Sequence, residues 1–166
     1  MKAINSTILL LFISLSIVFN SSAQTPAKTV PDFTFFKSNK IAFTIKDLDP
    51  NNLLFFVFFD VTCDHCQQEM VKINKHYGEF KKTSLYLISL DDPQRVNQFL
   101  NAYGKNLVGK SNVTLLFDLK NEFIVKFGPK RYPSTFLYSP QKKLILYDDN
   151  PENFNKFLAH IKSANK

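Results

Sequence analysis

The chain has 166 residues and contains no tryptophan, two cysteines, two methionines and four glycines. With no cysteine beyond Cys63 and Cys66, the second ligand pair that a structural zinc site usually brings is missing. No cysteine lies directly behind the early apolar run from Ile8 to Phe19, so no lipoprotein anchor is expected there. That run falls short of the roughly 20 residues that span a bilayer comfortably. Internal repeats and low-complexity tracts are also absent. The lysines are scattered, with short clusters only at Lys81-Lys82, Lys130-Arg131 and Lys142-Lys143. A formal net charge of +7 therefore reads as a solvated basic surface that suits acidic partners or membrane surfaces, and no nucleic-acid partner is expected.

What is present is apolar and aromatic. Apolar residues make up 45% of the chain and phenylalanine alone contributes 18 copies, which excludes a disordered chain and gives one domain a proper core. Residues 1–23 read as an export signal: Lys2, the apolar run, then small residues at Ser21 and Ala23. An uncleaved membrane anchor is the alternative. A linker over residues 24–31 and a single domain over residues 32–166 follow.

Periodicity organises that domain. Phe33–Phe36 and Ile41–Ile45 alternate around a turn and predict a hairpin. Leu53–Phe59 is apolar on both faces, as a central parallel strand should be. From Asp64 the period changes, and Met70, Ile73, Tyr77 and Phe80 mark one face of a helix. Leu85–Leu90 is a strand. Asp92 caps the next helix with Pro93 at its first position and Val96, Phe99, Leu100 and Tyr103 inward. Val113–Phe117 is a short strand, and Lys120–Phe127 a short helix with Phe123, Ile124 and Phe127 inward. Thr135–Tyr138 and Lys143–Tyr147 are strands, and Asn150 caps a last helix starting at Pro151. Strands alternating with helices predict an α/β fold with a central mixed sheet covered on both faces.

The two cysteines fall three residues apart, where the buried strand gives way to the helix. Three readings compete. As a redox dithiol, Cys63 sits at the helix N-terminus, where unpaired amides favour a thiolate that attacks disulfides. Cys66, one turn on, then resolves the mixed disulfide. As half a metal site, the pair would need His65 and His76. As a static staple, a Cys63–Cys66 bridge closes so short a loop that it constrains the unfolded chain very little. The strand before and the amphipathic helix after favour the redox reading.

"VPDFTFF", "LLFFVFFDVTCDHCQQE", "LYLISLDDPQRVNQFL", "VTLLFD" and "VKFGPKRYPSTFLY" resemble, in order, segments of exported thioredoxins of the TlpA/ResA type. The resemblance runs from about Val30 to Ile161. It implies a thioredoxin fold with an N-terminal β-hairpin and a helix–strand insertion over Asp92–Phe117. It also implies a thiol–disulfide oxidoreductase, reductive in direction, that works on protein thiols and disulfides outside the cytoplasm. A redox disulfide would form between Cys63 and Cys66. No cofactor and no metal would be needed, a membrane-bound donor would supply electrons, and no stable membrane insertion would remain after signal cleavage. Pro133 falls on the family's cis-proline, which would place the Tyr132 backbone against the cysteines. Glu69 matches the glutamate of CxxCxxE, which influences the thiols; a first-turn acid favoured by the helix dipole is the plainer account.

Departures are specific. Thr62 stands where the family has tryptophan, Val57 where cytoplasmic thioredoxins bury an acid, and Val71 where many relatives carry a helix-kinking proline. His65 would stabilise the Cys63 thiolate and Asp64 would oppose it; an idle, exposed His65 is the alternative. A peroxiredoxin, which needs threonine where Asp60 stands, and a binding module with a fixed bridge are the competing functions.

Overall fold

The computed structural model describes residues 25–166. The expected signal, residues 1–23, lies outside them. Seven strands form one mixed sheet: β1 (Thr34–Phe36), β2 (Ala42–Thr44), β3 (Leu53–Phe58), β4 (Thr83–Ser89), β5 (Val113–Phe117), β6 (Ser134–Tyr138) and β7 (Leu144–Asp148). Their spatial order is β2-β1-β5-β4-β3-β6-β7. β3, β4 and β5 run parallel, while β6, β7, β1 and β2 pair antiparallel. β3 is thus parallel on one side only, with β6 antiparallel on the other. Helices α1 (Asp64–Lys75), α2 (Pro93–Tyr103), α3 (Glu122–Phe127) and α4 (Phe154–Ala164) complete the alternation expected from the sequence. These elements make the α/β, thioredoxin-type fold with its N-terminal hairpin and central helix–strand insertion.

The apolar run of β3 is explained by its two faces. Phe55 and Val57 join the core cluster that includes Met70, Ile73, Phe99 and Phe157, under α1, α2 and α4. Leu54, Phe56 and Phe58 join a second cluster with Phe35, Phe123, Phe127, Phe136 and Tyr138, under α3 and the N-terminal hairpin. Alternation along a strand sends successive residues to opposite faces, so a strand buried twice must be apolar throughout. The second cluster is mostly aromatic: Phe123 stacks on Phe127 at 4.2 Å and on Phe58 at 4.6 Å between ring centroids.

Boundaries differ from expectation where local capping decides them. Asn150 caps a single 3-10 turn, Pro151–Asn153, before α4 begins at Phe154. α1 ends at Lys75, and Tyr77–Glu79 is a separate 3-10 turn. α3 starts at Glu122 because the buried Asp118 carboxylate accepts the amides of Glu122 (3.0 Å) and Phe123 (2.7 Å). Ile124, expected inward, is 36% exposed. A two-turn helix has room for only one apolar stripe, and Phe123 and Phe127 occupy it. The segment before β1 is tied to the domain, with Val30 buried and its amide donating to the Lys142 carbonyl at 2.9 Å.

Phe123→Ala removes the ring packed against Phe35, Phe58, Phe127 and Phe136. The expected cost is about 3–5 kcal/mol, seen as a lower urea midpoint with an unchanged slope.

Candidate functional site

The site lies where β3 ends. Phe59 still donates its amide to the Ile88 carbonyl at 3.0 Å, and then the chain leaves the sheet. The turn is made by Asp60, whose Oδ1 accepts from the Thr62 amide at 2.7 Å and from the Thr62 hydroxyl at 2.6 Å. An Asp side chain that bonds its own backbone two residues on is a local substitute for strand pairing. The Val61 amide meanwhile donates to Asp91 Oδ2 at 3.1 Å, which anchors the turn to the loop after β4.

This turn delivers Cys63 to the N-cap of α1, with extended φ −87° and ψ 117°. Its Sγ accepts from the Cys66 amide at 3.3 Å, and its carbonyl accepts from the amides of Cys66 (3.0 Å) and Gln67 (3.1 Å). A helix N-terminus leaves such amides without intrahelical partners, and they favour negative charge nearby. Cys63 is half-buried, whereas Cys66 is 1% exposed. Burial pushes the Cys66 thiol far above its usual range, and its contacts with Cys63 add to the shift. No bond joins the two sulfurs in this structure.

Around the pair, Asp64 and His65 are exposed. His65 borders a shallow depression together with Arg131, Tyr132 and Asp149. The Tyr132–Pro133 peptide bond is cis and Pro133 is buried. The Tyr132 ring lies 4.7 Å from that of Phe58, and burial, with smaller contributions from Asp60 and Asp91, pushes its hydroxyl up to about 12. His76 caps the far end of α1 and packs against Phe154. At 1.5 Å of rise per residue it stands roughly 20 Å from Cys63, beyond any shared metal. Among the described residues no group of three or more His, Cys, Asp or Glu could hold a metal ion.

Glu69 departs from its plainer sequence reading. It lies in the second turn of α1, and it is 2% exposed. Its Oε1 accepts from the Thr135 hydroxyl at 3.2 Å, and its Oε2 has no protein partner. Burial pushes the carboxyl up to about 8, offset in part by Thr135 and Lys72. At neutral pH the group is mostly protonated, so removing it removes little charge from the thiols below that pH. Val57, at the position expected to lack the buried acid, is buried in the same cluster as Cys66.

Sequence reasoning missed the clamp on the loop before β6. The Tyr147 hydroxyl accepts from the Lys130 amide at 3.0 Å, lies 3.0 Å from Ser134 Oγ, and donates to Asp149 Oδ2 at 3.1 Å. Arg131 closes the loop through Asp149 Oδ1 at 2.7 Å, and the Ser134 hydroxyl donates to the Arg131 carbonyl at 2.7 Å. Tyr147 and Asp149 reach this loop only because β7 pairs antiparallel with β6, and no local motif announces that.

A family model described as AhpC/TSA matches residues 26–147. The chain belongs to the AhpC/TSA family. This family membership fits the thioredoxin fold, and the chain is a thioredoxin-like member with general redox character. The thiol-disulfide oxidoreductase ResA of Bacillus thuringiensis (strain Al Hakam) is 25% identical over 140 residues, covering 81% of this chain and 77% of that protein. Among solved structures, one described as a thiol:disulfide interchange protein DsbE from Chlorobium tepidum superposes with a TM-score of 0.66 at 18% identity. It covers 83% of this chain and 98% of that one. The peroxidoxin BcpB of Mycobacterium tuberculosis matches with a TM-score of 0.67 at 18% identity, over 84% of this chain and 97% of its own. These two likenesses show the shared fold.

Glu69 predicts a pH dependence of stability. Its folded value, about 8, lies above its ordinary 4.5. Below about 4.5 both folded and unfolded chains hold the proton and nothing is lost. Between the two values the unfolded chain releases it first, so stability falls as pH rises through this window and levels off above about 8. Glu69→Gln removes that loss. Relative to the native chain, the variant should gain up to about 4 kcal/mol between pH 4.5 and 8.5 in urea unfolding. A constant difference across that range would contradict the buried, protonated carboxyl.

Proposed function

We propose that the chain is an exported thiol–disulfide oxidoreductase that exchanges disulfides with proteins through Cys63 and Cys66. The reading rests on the inequality of the two thiols. Cys63 is half-buried with an amide on its sulfur, and Cys66 is buried with a thiol pushed upward. In the reductive direction the Cys63 thiolate attacks a substrate disulfide, forming one mixed disulfide and releasing one substrate thiolate. The Cys66 thiolate then attacks Cys63 Sγ, closes the Cys63–Cys66 disulfide and releases the second substrate thiol. Two electrons pass to the substrate, and its sulfurs take up two protons. Tyr132 and Pro133 supply the backbone edge beside the pair, and Asp64, His65 and Glu69 modulate it.

Residues 1–23 act as the export signal in this reading, with residues 24–31 leading into the domain, and a membrane-bound donor restores the dithiol. The reductive direction in this reading follows from the acids beside the pair, Asp60 and Asp64, which disfavour a further negative charge. The peroxidoxin likeness raises a peroxidase as a second reading. Against it, Asp60 stands in the threonine position and turns its carboxylate to Thr62.

Two measurements test the proposal. Cys66→Ser should accumulate mixed disulfides with partner proteins on non-reducing gels, and Cys63→Ser should accumulate almost none. Equal trapping by both variants would refute the assigned roles. The Cys63–Cys66 couple should equilibrate near about −270 mV, the thioredoxin value, and a result near −120 mV would reverse the direction.

A further inference from the structure

The Tyr147 hydroxyl reaches the loop before β6 on both sides of Tyr132 and Pro133. Ahead of them it accepts the Lys130 amide at 3.0 Å, and behind them it lies 3.0 Å from Ser134 Oγ. Its proton goes to Asp149 Oδ2 at 3.1 Å, and the other oxygen of that carboxylate takes the Arg131 guanidinium at 2.7 Å. Ser134 in turn donates to the Arg131 carbonyl at 2.7 Å. The Lys130 amide, the Arg131 carbonyl and the Arg131 side chain thus converge on one phenolic oxygen and its two neighbours. A phenolic hydroxyl suits such a hub, because it both donates and accepts. The ring beneath it is fixed as well, with its centroid 4.7 Å from that of Phe136 in β6.

These bonds decide position more than stability. Residues 128–133 belong to no strand or helix, and Lys130 and Arg131 are exposed. Water replaces a lost hydrogen bond at an exposed group at little net cost. It does not hold that group in one place. Tyr132, between the two anchors, packs on the Phe58 ring at 4.7 Å and against the core cluster that contains Cys66. The clamp itself stays off the thiols: its hydrogen bonds end on Lys130, Arg131, Ser134 and Asp149, while Cys63 Sγ takes its amide from Cys66. We propose that Tyr147 is a positioning residue for exchange with protein disulfides, its hydroxyl holding the backbone of residues 130–132 at a fixed height beside the cysteines. A protein substrate must fit this loop as well as reach Cys63, whereas a small disulfide need only reach Cys63. The inference rests on the disulfide-exchange reading and adds one residue to it.

The test compares a protein disulfide with a small one. The reduced chain, freed of reductant, is mixed with insulin or with bis(2-hydroxyethyl) disulfide, and the second-order rate constant for loss of its dithiol is measured for each. Alkylation of Cys63 by iodoacetamide is timed in parallel. Tyr147→Phe removes the hydroxyl and keeps the ring on Phe136. It should slow the reaction with insulin about tenfold, while the small disulfide and the alkylation of Cys63 stay within about twofold of the native rates. Ser134→Ala frees the Arg131 carbonyl without touching the Tyr147 ring. It should lower the ratio of the insulin rate to the small-disulfide rate in the same direction. A merely structural role would slow both disulfides alike. An equal loss toward both disulfides, or an unchanged rate toward insulin in both variants, would therefore overturn the positioning role and leave disulfide exchange intact. No reaction of the native chain with either disulfide would remove the exchange reading, and the positioning role with it.

Discussion

The Cys66 amide points at both the sulfur and the carbonyl of Cys63, and the rest of the site is arranged around that contact. It exists because β3 stops and α1 starts within a few residues. An extended N-cap is the only conformation that puts a side chain over the free amides of a first turn. The usual capping side chains carry oxygen, and here sulfur takes the place. The geometry that begins the helix therefore also holds the Cys63 sulfur. One turn later the same helix carries Cys66 into the core, where burial pushes the thiol upward.

Holding that junction still is the work of the aromatic layer. Phe58 is the last residue of β3 and packs on Phe123 and on Tyr132 at once. The strand that delivers the cysteines and the loop before β6 are thus fixed against a single ring. The loop is held from its other side by Tyr147 and Asp149 of the β7 edge. Hydrogen bonds set its path and apolar packing sets its height above the sheet. Neither alone would position Tyr132, because a surface loop of this length has no secondary structure of its own.

Much of this was legible in the residues. Two-sided apolarity announced β3, Asp92-Pro93 announced α2, and the change from strand to helix around Cys63 announced the site. Reading failed where a long-range contact overrode a local one. Ile124 fits a helical stripe on paper, but α3 is too short to bury it beside Phe123 and Phe127. The plainer of two readings of Glu69, a first-turn acid, failed because its burial against Thr135 depends on β6, distant in sequence. Asn150-Pro151 carries a helix-start signature and caps only a 3-10 turn. Tyr147 and Asp149 gave no signal, since only strand pairing brings them to the loop before β6.

The central claim is that two cysteines of one short motif differ because one caps α1 and the other is buried by it. Timed alkylation of the reduced native chain with iodoacetamide at pH 7, read residue by residue by mass spectrometry, tests it most directly. The account predicts that Cys63 is modified at least about a hundredfold faster than Cys66, whose label appears only as the chain opens. Comparable rates at the two positions would contradict it.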